Sequence, residues 1–132
     1  FLVKPNQMEI QKITSLPVDD NAGLITAAEQ LQEWGVTNVI VSLEKLGALA
    51  KNDQQAWLVM SPDVQERNPI GAGDSMVGGL VWALNQNLVF LDAVGWGVAC
   101  GAAAASLSGT AVGTYEYVKE LVSQTQVQRL GK

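Results

Sequence analysis

The chain reads as an α/β protein with a largely parallel sheet flanked by helices. Two observations predict this class. Val39, Ile40 and Val41 run together, as in a strand buried on both faces. Stretches of strand pattern also alternate with stretches of helical spacing along most of the sequence.

Taken in order, residues 1–4 predict a short buried strand ended by Pro5. Residues 6–13 predict a helix, with Asn6 as its N-cap and Glu9 three residues on, the spacing of a capping box. Pro17 falls in a loop. Asp19 or Asp20 caps a second helix, whose apolar face is Leu24, Ala27, Ala28, Leu31 and Trp34, and Gly35 ends it. The buried strand occupies residues 36–43. Residues 48–51 and 57–60 predict two further strands around an Asn52-Asp53 turn. Helices follow at 72–84, 91–107 and 115–122, the last with Thr114 as a cap. Such sheets bind ligands beyond the C-terminal ends of their strands.

Composition narrows the function. The chain has 132 residues, enough for one hydrophobic core, and is 48% hydrophobic and 16% charged. Its net charge is −5 and it holds no basic run, which argues against nucleic acid as a partner. No stretch suits a membrane span and no secretory signal is present, so the expected location is cytoplasmic. Histidine is absent, which removes His metal sites and His general bases. The single cysteine, Cys100, has small apolar neighbours and reads as a buried structural thiol. No initiator Met precedes Phe1, and a fragment is expected.

One segment carries chemistry: Asn68-Pro69-Ile70-Gly71-Ala72-Gly73-Asp74-Ser75-Met76-Val77-Gly78-Gly79. Two glycines and an alanine at a helix start expose backbone N–H groups at the positive end of the helix dipole, an anion hole. Asp74 stands beside it. A carboxylate there is useful if an alcohol must lose its proton while attacking a phosphoryl group. The same pattern also suits an ordinary helix start with an acidic first turn. It is not a Walker A loop, since no Gly-Lys-Ser/Thr follows, and it is not a dinucleotide fingerprint, since Met76 stands where the third glycine belongs.

Residues 68–79 resemble the C-terminal signature of PfkB-type, ribokinase-like sugar kinases. The resemblance implies a ribokinase-like fold, with Asp74 as catalytic base and Gly71, Ala72 and Gly73 as the anion hole. Lys4-Pro5-Asn6-Gln7-Met8-Glu9 resembles the family's Lys-Pro-Asn-x-x-Glu. That match implies a role for Lys4 at the nucleotide phosphates and for Asn6 and Glu9 in holding Mg²⁺, usually through water. Val41-Ser42-Leu43-Glu44-Lys45-Leu46-Gly47-Ala48-Leu49 resembles the strand-end segment Val-Ser-Leu-Gly-x-x-Gly-Ala, implying that Ser42 and Gly47 line the nucleotide site. Glu44 replaces the first glycine of that segment. Its carboxylate would crowd or repel ATP phosphates, and a backbone needing positive φ would be strained there. The alanine run at 99–105 is similar to a helix that packs near the adenine in the family.

The implied function is ATP- and Mg²⁺-dependent phosphoryl transfer to a sugar phosphate, with ATP and the sugar phosphate as partners. The wording is most like the branch of 1-phosphofructokinase, tagatose-6-phosphate kinase and the minor 6-phosphofructokinase. Residues 1–132 would be the nucleotide-binding and catalytic C-terminal part, with the sugar-binding and lid part outside them, and the complete enzyme a homodimer. The alternative is a truncated, non-catalytic nucleotide-binding remnant. A dinucleotide-dependent reductase shares the α/β pattern but lacks the fingerprint.

Overall fold

A computed structural model describes residues 1–65, 67, 71–107 and 114–131. In chain order these form β1 (Leu2–Val3), α1 (Gln7–Thr14), α2 (Asn21–Glu33), β2 (Asn38–Ser42), a 3-10 turn (Glu44–Leu46), β3 (Gly47–Lys51), β4 (Ala56–Met60), α3 (Ala72–Asn85), α4 (Phe90–Ser106), α5 (Tyr115–Gln124) and β5 (Gln126–Gly131). The strands lie in the order β1-β2-β3-β4-β5. The α/β class expected from the sequence is what the chain adopts. The sheet is mixed: β1 pairs with β2 in parallel, whereas β2 and β3 are antiparallel, Ser42 facing Ala48. A connection of four residues allows only that direction, because a parallel return needs a crossover of a dozen or more.

The chain divides into two compact units, one of Phe1–Leu58 with Val127–Lys132 and one of Val59–Gln126. In the first, α1 and α2 supply Ile10, Leu24, Ala27, Ala28 and Leu31 to a core shared with Val39 and Val41 of β2 and Leu49 of β3. Ile40, on the opposite face of β2, is also buried, as expected for a strand covered on both sides. Asp20, not Asp19, caps α2, accepting from Gly23 N–H at 2.7 Å. Its C-cap is Trp34, followed by Gly35 at φ 111°.

β1 is a correction. The expected buried strand over residues 1–4 is confined to Leu2–Val3, and Phe1 is 82% exposed. Among the strands of this chain, β1 stands at the end of the sheet order. The 3-10 turn and β5 were not expected. Residues 126–131 alternate without a strong apolar run, and β5 is held in part by Arg129 Nε, which donates to Gln55 Oε1 at 2.7 Å.

In the second unit α3 and α4 pack backbone to backbone. A Cβ on Gly79 would lie 2.5 Å from Cys100 Sγ, and one on Gly97 would lie 3.0 Å from the Met76 carbonyl oxygen. Only glycine allows that approach. Ala99, Ala102 and Ala103 of α4 form a core with Val118 and Leu121 of α5. Cys100 is another correction. It is half-buried rather than buried: its side chain packs on Gly79 of α3 and also borders an open pocket. Burial still pushes its thiol up. Among the described residues, no helix is long and apolar enough to cross a membrane.

Candidate active site

The first unit assembles one group of the residues singled out above. The capping box expected at the start of α1 is present: Asn6 Oδ1 accepts from Glu9 N–H at 2.7 Å, and Glu9 Oε1 accepts from Asn6 N–H at 2.8 Å. Asn6 also pairs with Ser42 in a single parallel bridge, and Ser42 N–H donates to the Pro5 carbonyl at 3.0 Å. Lys4, half-buried, directly precedes this junction. Lys4, Asn6, Glu9 and Ser42 therefore gather at the C-terminal ends of the parallel pair β1 and β2, the ligand-binding end of such sheets.

Asn6 and Glu9 are exposed, and the box engages only one oxygen of the Glu9 carboxylate. That leaves a donor set suited to a hydrated cation. Mg²⁺ keeps several of its waters and takes few protein ligands, and no group of three or more His, Cys, Asp or Glu gathers among the described residues. The cap and a water-bridged metal contact are thus compatible.

Beyond Ser42 the chain turns sharply into β3. Leu43 N–H donates to the Gly47 carbonyl at 2.9 Å, and Leu46 N–H to the Leu43 carbonyl at 3.2 Å. Gly47 has φ 119°, a conformation reserved in practice for glycine. Glu44 has φ 55°, inside the left-handed region, and its side chain is exposed. The positive φ anticipated for this residue is present: the turn holds Glu44, which stands where the resembling segment has glycine, in the left-handed region.

The second unit carries the other group. Gly71, at φ 87°, caps α3 without a side-chain hydrogen bond. Ser75 N–H closes the first helical bond on the Gly71 carbonyl at 3.0 Å. The N–H groups of Ala72, Gly73 and Asp74 therefore lie in the first turn, where an α-helix offers them no partner. Among the described residues, no atom beyond the chain neighbours and the helix's own backbone comes within 4 Å of a Cβ built on Gly71 or Gly73. Gly71 is thus favoured by its backbone angle, while no described residue crowds the Cβ position of Gly73. Asp74 is exposed on this first turn. Asn68, Pro69 and Ile70, the start of the motif, lie outside the described residues. The arrangement can bind an anion and place a carboxylate beside it.

Sequence reasoning assigned no functional role to Trp82, Trp96 or Tyr115, yet these three rings cluster in the second unit. Trp82 lies 4.9 Å from Trp96 and 6.0 Å from Tyr115, and Trp96 stacks on Tyr115 at 5.6 Å. They border a cavity of about 330 Å³ with Ser75, Cys100 and Val118. Each ring sits on a different helix, so no local spacing signals the cluster.

Comparison with known proteins bears on what these groups do. The model of the pfkB family carbohydrate kinases matches residues 1–116. The 1-phosphofructokinase of Borreliella burgdorferi is 33% identical over 129 residues, 97% of this chain and 41% of that protein. The 1-phosphofructokinase of Escherichia coli K12 is 39% identical over 84 residues, 64% of this chain and 27% of that protein. Among solved structures, phosphofructokinase-2 of Escherichia coli in complex with potassium superposes with a TM-score of 0.85 at 32% identity, covering 92% of this chain and 40% of that one. Ribokinase of Arabidopsis thaliana, complexed with ribose and ATP, has the same fold, with a TM-score of 0.85 at 18% identity over 92% of this chain and 40% of that one. The chain spans less than half the length of each of these proteins. With a family match over most of its length and relatives above 30% identity, the chain belongs to the pfkB family of carbohydrate kinases.

Proposed function

We propose that residues 1–132 form the nucleotide-binding and catalytic C-terminal part of a kinase that transfers the γ-phosphoryl group of ATP to a hydroxyl of a sugar phosphate. A ketohexose phosphate such as fructose 1-phosphate is the acceptor favoured by the relatives named 1-phosphofructokinase. The observation that carries the reading is the open helix start at Gly71, Ala72 and Gly73 with Asp74 in its first turn, in a chain without histidine.

In this reading the acceptor oxygen attacks the γ-phosphorus and the bond to the β–γ bridging oxygen breaks, releasing ADP. Asp74 takes the hydroxyl proton as general base. The amides of Gly71, Ala72 and Gly73 stabilise charge on the transferred group, already oriented before reaction. Lys4, Ser42 and Gly47 contact the nucleotide. Asn6 and Glu9 would hold Mg²⁺ through water, and that ion would offset phosphate charge. A coupled ADP-release assay of the complete protein with fructose 1-phosphate, fructose 6-phosphate and tagatose 6-phosphate tests the reading. Sugar-dependent turnover supports it, and none with any acceptor defeats it.

One observation favours a second reading, a nucleotide-binding remnant without turnover. Glu44, strained at φ 55° and carrying a carboxylate into a segment proposed to face ATP, is a departure that weakens nucleotide binding. ATP binding by calorimetry without phosphoryl transfer would identify that case.

A further inference from the structure

We infer that α4 is the platform that sets the position of the anion hole, and that Gly101 is its positioning residue; this rests on the function proposed above. Two contacts within the second unit join α4 to residues around the anion hole. A Cβ on Gly101 would lie 3.2 Å from the carbonyl oxygen of Ala72, the central residue of the hole. Before the hole in the chain, Arg67 N–H donates to the Ala105 carbonyl, one turn further along α4, at 2.7 Å. Gly101 and Ala105 are spaced i, i+4, so both contacts fall on one edge of the helix.

Gly97 lies on the same row, one turn earlier. Its Cβ would meet the Met76 carbonyl oxygen at 3.0 Å and Leu80 Cβ at 3.4 Å. That contact is at least as tight as the one at Gly101, but it bears on the second turn of α3. The two glycines therefore separate packing from positioning. A methyl group at either makes its neighbour give by a few tenths of an ångström. At Gly101 the displaced atom belongs to the peptide group that links Ala72 to Gly73, whose N–H is one of the hole's donors. Displacement of a reacting geometry by about 1 Å costs about a hundredfold in rate, so a few tenths should cost roughly tenfold.

Because a preorganised donor acts on charge that develops in the transition state, the loss should fall on kcat and kcat/KM together. Nucleotide binding made equally in ground and transition states should be spared. Gly101 acts through Ala72, whose carbonyl oxygen a Cβ at position 101 would meet.

The test compares Gly101→Ala with Gly97→Ala in the complete protein, measuring kcat, KM for ATP and for the sugar phosphate, and melting temperature. The expected result is comparable loss of melting temperature in both, with kcat down about tenfold only in Gly101→Ala and KM for ATP nearly unchanged. Equal effects on kcat in the two variants, or no effect in Gly101→Ala, overturn the inference. Should Gly101→Ala not fold, Arg67→Pro and Arg67→Ala decide it. Only the proline removes the N–H held by Ala105, so a kcat loss confined to Arg67→Pro supports the platform, and equal kcat in both overturns it. Absence of turnover in the unaltered protein would instead defeat the proposed function.

Discussion

Replacing Glu44 by glycine should stabilise the protein, although it removes an entire side chain. Glu44 holds φ 55° because the turn from β2 to β3 requires it, with Leu43 and Gly47 already bonded across the turn at 2.9 Å. A side chain with a Cβ in the left-handed region costs about 1–2 kcal/mol. Glycine removes that cost but gives the unfolded chain more freedom, worth about 0.5–1 kcal/mol. The difference leaves a net gain of roughly 0.5–1 kcal/mol, or about 2–4 °C in melting temperature for a chain of this size. Glu44 is exposed, so little buried contact is lost. Glu44→Ala is the informative control, because it removes the carboxylate and keeps the backbone cost. Thermal denaturation of both variants alongside the parent is the assay. Glycine should exceed alanine by about the full net gain. If the two melt together, or glycine melts lower, the left-handed backbone is not strained and the argument is wrong.

Four further outcomes follow from the same geometry. Asp74→Asn should lower kcat by about 10²–10⁴-fold while calorimetric ATP affinity largely survives; near-normal turnover would reduce Asp74 to a helix-start residue. Glu9→Gln keeps a residue able to close the capping box with Asn6, so the melting temperature should hold while the Mg²⁺ concentration needed for activity rises; an unchanged Mg²⁺ titration would leave Glu9 with the cap alone. Gly79→Ala places a methyl 2.5 Å from Cys100 Sγ and 2.8 Å from its Cβ, and should cost about 1–3 kcal/mol of stability; adding Cys100→Ala should return part of that, and no recovery would locate the clash elsewhere. Burial raises the Cys100 thiol above its ordinary value, so its contribution is present below the unfolded-state value and is lost as pH rises through the folded one. As pH rises above the ordinary thiol range the parent should lose more stability than Cys100→Ala, and an identical pH dependence of the two in urea titrations would contradict this.

The helices were legible because their signals are local. Asn6 with Glu9, Asp20 with Gly23, and Thr114 with Tyr117 are side chains bonding to backbone three residues away; the first and last formed where read, and the structure chose Asp20 from the two candidates Asp19 and Asp20. The triplet Val39, Ile40 and Val41 is likewise buried as read, since only a strand covered on both faces accommodates three apolar residues in succession. Gly71 at the start of α3 was readable as a helix-start glycine for the same local reason. Tertiary structure alone decided which edges and faces were covered. Phe1 looked like core and is exposed in this chain. Cys100 looked buried and lines a cavity, because Gly79 and three rings on three different helices frame that space. Glu44 was read as a residue out of place, but its positive φ is set by the turn that the hydrogen bond from Leu43 to Gly47 closes. The close approach of Gly101 to Ala72 joins residues 29 positions apart. Spacing within a helix or a cap is written into the neighbouring residues, whereas a contact between elements depends on how two backbones approach, and no short stretch of sequence encodes that distance.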